Sequence, residues 1–159
     1  MYFLRIAGAA VLVLSGFIGS RMMNLAISKK WEQTEALVSL LRFIKIQIEC
    51  FGLPASEIIS RCDRELIFQC GFSKDILPND FKSFFKSCYF RDGETQSILY
   101  AFATGFGKGY REEQVKECEY YLELLCERRQ RLYEDLPKRK KLNSTLCISS
   151  ALAIVILLI

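Results

Sequence analysis

The side chains that could do chemistry in this chain are seven cysteines, at positions 50, 62, 70, 88, 118, 126 and 147, and 18 carboxylates, with no histidine beside either group. Without an imidazole there is no histidine-based triad and no ordinary base poised near pH 7 to activate a thiol or a hydroxyl. The cysteines form no C-x-x-C pair, and zinc sites draw on such pairs or on histidine. They read as reduced core or helix-packing residues of a reducing compartment. Cys147 lies in an apolar run, where S-acylation is the alternative. The chain is expected to be no enzyme, with no catalytic, cofactor-binding or metal-ligating residue and no cofactor.

Three further patterns invite a functional reading. The alternating glycines Gly105, Gly107 and Gly109 in GFGKG have neither the spacing of a Walker loop nor a preceding strand, so they predict a helix end and a tight turn. Glu119, Glu123 and Glu127 repeat at i, i+4 spacing and repel by about 0.2–0.5 kcal/mol per pair. That repulsion is relieved either by Arg42 or Lys45 of an earlier helix, or by another protein for which the row is a docking face. Lys138, Arg139, Lys140 and Lys141 form a basic run against an apolar tail, which reads as a topology anchor that also touches anionic lipid, and not as a nucleic-acid patch.

The elements that must position these residues follow from apolar patterning. Residues 6–20 and 142–159 carry no acidic or basic side chain, whereas all 18 acidic residues and 21 of the 22 lysines and arginines lie between 21 and 141, a balance of +3. An 18-residue helix reaches about 27 Å, close to the roughly 30 Å of a bilayer's hydrocarbon. The expected organisation is an N-terminal transmembrane segment over 1–20, a cytoplasmic helical domain over 21–141 and a C-terminal transmembrane segment over 142–159. Arg21, Lys29 and Lys30 on one side and Lys138 to Lys141 on the other keep the middle in the cytoplasm under the positive-inside tendency. Arg5 and the small residues Gly16, Gly19 and Ser20 also fit a cleaved signal peptide. Cleavage would put the middle outside and leave the second basic run on the wrong side.

Within the middle, Leu37, Leu40, Leu41, Ile44, Ile48 and Phe51 make an amphipathic stripe that ends at Gly52. Pro54 suits the first turn of a second helix reaching Gln69, with Ile58, Ile59, Cys62 and Leu66 inward and Gly71 as the stop. A loop over 72–80 leads to a short helix over 81–90 with Phe81, Phe84, Phe85 and Tyr89 inward. Asp92 caps a helix to Phe106 whose inner side carries Ile98, Leu99, Phe102 and Phe106. From Tyr110 a long helix runs to about Leu136, its acids early and its bases late, as the helix dipole favours. The fold class is all-α, a bundle of antiparallel helices.

The segments IECFGLPASEII, with Ile48, Gly52 and Pro54, and FGKGYREEQVKECEYYL, with Phe106, Gly107, Arg111 and Gln114, together with the two apolar ends, resemble the stage III sporulation protein AB family over nearly the whole chain. Gln47, Tyr110 and Cys147 depart from its pattern, which bears on the cap of the long helix and on packing in the tail. The resemblance implies a domain similar to that of type II secretion platform proteins, in the membrane surrounding the forespore on the mother-cell side. It implies docking of a cytoplasmic secretion-type ATPase, the stage III sporulation protein AA of the same operon, and contact with other membrane components of the same channel. Membrane lipid is expected as a partner, nucleic acid is not, and a homo-oligomer is compatible. The competing reading is a general membrane-tethered helical adaptor unrelated to sporulation.

Overall fold

A computed structural model describes the backbone of residues 2–158 and the side chains from Leu14 to Ile156, apart from those at 16, 151 and 155. The element order is α1 (Tyr2–Phe51), α2 (Ala55–Arg61), α3 (Arg64–Gln69), α4 (Phe81–Ser87), α5 (Gly93–Gly105) and α6 (Arg111–Leu158). Among the described residues there is no strand, only one isolated antiparallel bridge between Phe72 and Cys88. The chain is all-α, as its patterning predicts. It divides into two compact units, one of Lys30–Leu132 and one of Met1–Lys29 with Tyr133–Ile159.

In the Lys30–Leu132 unit, the inner face of α1 buries Thr34, Leu37, Val38, Leu41, Ile44 and Ile48, at the three- and four-residue steps of one helix side. Phe51, the expected last member of the stripe, is exposed because the helix ends there. Salt bridges fix the direction of α6 against α1: Lys45 meets Glu119 and Glu35 meets Arg129, so as one number falls by ten the other rises by ten. Those two helices are antiparallel. α5 instead runs parallel to α1, since Thr34 meets Thr95 near its start and Ile48 lies with Ala103 and Phe106 near its end. The expected all-antiparallel bundle is thus corrected in one pair, which the connection through α2, α3 and α4 makes possible.

The second predicted helix is in fact two. Cys62 and Asp63 are extended, and the Asp63 carboxylate accepts the Leu66 N–H to start α3. This break changes the helical phase, so Ile67 enters the core and Leu66 is only half-buried. The aromatic helix also stops early, at Ser87, because the next residues pair with the α3–α4 connection: Tyr89 N–H donates to the Gly71 carbonyl. Tyr89 consequently points outward, 68% exposed, contrary to the inward position its spacing suggests. Gly71 is required here twice, since its φ is +98° and a Cβ would collide with the Tyr89 carbonyl and the Gln33 side chain.

Around these elements Phe72, Phe81, Phe84, Phe85 and Phe102 form a buried aromatic cluster. Phe72 stacks on Phe84 at 5.1 Å, Phe81 meets Phe106 edge-on at 4.6 Å, and Phe102 meets Tyr121 of α6 at 5.8 Å. Each such ring both removes a large apolar area from water and restricts its neighbours' orientation.

In the unit formed by Met1–Lys29 and Tyr133–Ile159, the Ser20 and Ser144 hydroxyls lie 3.0 Å apart, and the Arg21 guanidinium sits over the Phe17 ring at 5.3 Å. α6 continues as helix through Pro137, which lacks the amide donor a regular turn would use. Among the described residues, no helix is long and apolar enough to cross a membrane. The segment expected to span over 1–20 lies for the most part outside the described side chains, and so does part of 142–159.

Candidate functional site

The acidic row lies on one side of α6, with Glu119, Glu123 and Glu127 all exposed. Of the two neighbours considered for it, Lys45 is the one in place, its Nζ donating to Glu119 Oε1 at 2.6 Å. That hydrogen bond raises the Lys45 pKa. Glu127 pairs with Arg131 at 3.0 Å, while Glu123 has no ion-pair partner among the described residues. Lys138, Arg139, Lys140 and Lys141 are exposed, and Arg139 pairs with Asp135 at 3.5 Å.

The cysteines are all free, and Cys62, Cys70, Cys88 and Cys118 are buried. Cys50 is exposed, so it departs from the packing role expected of all seven. Burial pushes the thiol of Cys62 up to about 11 and those of Cys88 and Cys118 up to about 12, far from the range in which thiolate chemistry operates near neutral pH. Among the described residues no group of three or more His, Cys, Asp or Glu side chains is placed to hold a metal ion.

Two ends of the Lys30–Leu132 unit differ in character. At one end Asp92, expected only as a helix cap, accepts from Thr95 N–H at 3.0 Å and from the Thr95 hydroxyl at 2.9 Å. Arg128 of α6 also grips its carboxylate with two donors, Nε at 3.0 Å and Nη2 at 2.8 Å. Asp92 is only 7% exposed. Burial alone would raise the Asp92 carboxyl, but Arg128 and Thr95 outweigh it and hold the pKa down at about 2. Arg128 further contacts Glu94 at 2.7 Å, and the Thr95 hydroxyl meets that of Thr34 at 3.3 Å.

Beside this network the Gln33 amide closes the chain reversal described above. Its Nε2 donates to the carbonyls of Tyr89 at 2.6 Å and Cys70 at 3.1 Å, and its Oε1 accepts the Arg91 N–H at 2.8 Å. Gln33 is absent from the residues singled out from the sequence. Its signal was present nonetheless: Gln33 and Thr34 stand one turn before Leu37 on the buried side of α1, and a buried polar group needs partners.

The other end is open. A cleft of about 570 Å³ is lined by Ile48, Gly52, Pro54, Phe106, Gly107, Arg111 and Gln114, together with Leu53, Ala55, Asp80, Phe81, Lys82 and Ala103. The first seven are the residues on which the family resemblance rests, so segments some fifty residues apart converge on one surface. Gly52 and Gly107, with φ of +62° and +85°, make the turns at its rim. Arg111 at the start of α6 donates to the Glu49 carbonyl, and Gln114 Nε2 donates to the Gly109 carbonyl at 2.8 Å. The missing aspartate at Tyr110 is offset from the other side of the cap, since Glu113 reaches back to accept the Tyr110 N–H at 3.0 Å.

The model of the family described as stage III sporulation protein AB matches residues 74–159, a stretch that includes α4, α5, α6 and one wall of the cleft. No curated protein and no solved structure matches the chain.

Proposed function

The chain belongs to the stage III sporulation protein AB family, and from that premise we propose that it is a non-catalytic membrane platform of a channel between mother cell and forespore, docking a cytoplasmic secretion-type ATPase. A sporulation-related role follows from the family itself. The observation that carries the finer reading is the pairing of a packed helical unit with two long helices, α1 and α6, that end in apolar segments next to basic residues. In the Met1–Lys29 and Tyr133–Ile159 unit, Leu14, Phe17, Ile18, Leu146, Leu152 and Ile156 are exposed, more apolar surface than water favours. Hydrocarbon would cover it, with Lys138, Arg139, Lys140 and Lys141 held at the cytoplasmic headgroups. An element attached to the bilayer through both ends has restricted orientation, which raises the effective concentration of its docking face toward a partner at the same membrane.

In this reading Glu119, Glu123 and Glu127 of α6 face the ATPase. Their pairs with Lys45 and Arg131 lie at the surface, where water and salt screen them, so exchanging them for a partner's basic residues costs little. The test is capture of the purified stage III sporulation protein AA-type ATPase by the full chain in nanodiscs. Native chain should bind, and the triple variant E119K/E123K/E127K should bind at least about ten-fold more weakly with unchanged helical content, as a coupling of 1.4 kcal/mol implies. Unchanged capture eliminates that face, and absence of capture by the native chain eliminates the docking role.

A further inference from the structure

The open cleft carries a second recognition surface with its own chemistry. Its floor is apolar, built from Ile48, Leu53, Phe81 and Phe106, and its volume of about 570 Å³ lies within the roughly 300–1,000 Å³ of pockets that seat ligands and peptide side chains. Its charged lining is asymmetric in what is already used. Asp80 is committed to the start of α4, accepting the Ser83 N–H at 2.8 Å, and that bond draws its carboxyl below the usual range. Arg111 donates to a backbone carbonyl, that of Glu49, and so retains most of its five donors and its full charge. The Lys82 side chain is exposed and makes no salt bridge among the described residues, and its charge also helps to draw the Asp80 carboxyl down. Two cations without a carboxylate ion-pair partner therefore border an apolar depression.

We propose that this cleft seats an extended segment of a partner protein in which an aliphatic or aromatic residue stands beside an aspartate or glutamate. The apolar side chain lies against the floor that the touching Phe81 and Phe106 rings form with Ile48 and Leu53, and the carboxylate is taken by Arg111 and Lys82. Guanidinium–carboxylate recognition supplies direction, and the apolar contact supplies most of the area removed from water. The site is separate from the acidic row on α6, so a peptide probe reads it whether or not an ATPase docks there.

The experiment uses the full chain in zwitterionic nanodiscs and fluorescein-labelled peptides read by anisotropy: GSDFLEG, its basic counterpart GSKFLKG, and GSDSSEG without apolar residues. GSDFLEG should bind at least ten-fold more tightly than either control, and K82E/R111E should reverse the preference toward GSKFLKG. Because Arg111 also holds the end of α1, K82E alone serves as the second variant; its side chain is exposed, and it should lower GSDFLEG affinity several-fold with an unchanged circular dichroism spectrum. E119K/E123K/E127K should leave peptide binding unaltered. Equal binding of the three peptides, or unchanged binding by a folded K82E/R111E, overturns the proposal. Self-association of the native chain that K82E abolishes would assign the cleft to a second copy and overturn it equally.

Discussion

The two ends of the Lys30–Leu132 unit share the helices α1, α5 and α6 and have opposite properties. Near residues 33–35 of α1, the start of α5 and the later part of α6 close on one another through Asp92, Arg128, Thr95 and Gln33. Near Ile48, roughly 20 Å farther along α1 at 1.5 Å per residue, the end of α5 and the start of α6 leave the cleft. At the closed end polar groups find partners inside the molecule, and removing one strands the others. At the open end the exposed Lys82 side chain has little to lose within the fold, and the apolar floor is the outer edge of the core. The difference teaches that stability and recognition are assigned to opposite ends of one bundle.

The largest effect that could break this comparison is expected from Asp92→Ala. It removes a helix cap and the carboxylate that Arg128 grips with two donors, which should cost about 2–4 kcal/mol in urea unfolding. A loss below about 0.5 kcal/mol would show that the closed end does not stabilise the unit. A smaller effect is expected from acid. The Asp92 carboxyl titrates at about 2 in the fold against about 3.9 in an unfolded chain. Its stabilising contribution is therefore complete above about pH 4 and is lost as pH falls toward 2. Arg128→Met should flatten the acid limb of the stability curve over that window; an unaltered limb would assign acid sensitivity to other carboxylates. The smallest effect is Lys82→Glu, which should change stability by no more than about 0.5 kcal/mol while altering peptide binding. A large loss of stability there would erase the distinction between the ends.

Much of this architecture is legible in the residues. The stripe from Leu37 to Ile48, the stop at Gly52, the cap at Asp92 and the glycine turn before α6 all follow from local rules, and all are present. What local rules miss is set by distant partners. Tyr89 has inward spacing on a helix, but the chain there is captured by Gly71 and Gln33, so the side chain turns out. Asp63 is an eligible cap inside an apolar pattern, and only the packing of Ile67 decides that it acts as one. The Asp92–Arg128 pair spans 36 residues and needs α5 and α6 to be side by side before it can be recognised. The cleft was legible only in its pieces: Gly52 and Pro54, Phe106 and Gly107, Arg111 and Gln114 stand out along the chain, but their convergence is tertiary.

The central functional claim is a membrane platform whose packed unit faces the cytoplasm, and thiol topology tests it most directly. Cys50 is exposed within the Lys30–Leu132 unit, so a membrane-impermeant maleimide should label it in inside-out vesicles and not in right-side-out vesicles. The measurement uses a chain whose other cysteines are replaced by serine or alanine, with a second version carrying Tyr2→Cys in place of Cys50. The account predicts opposite labelling for the two positions. Labelling of both from the same side, or a mature chain that begins near Arg21, would contradict it.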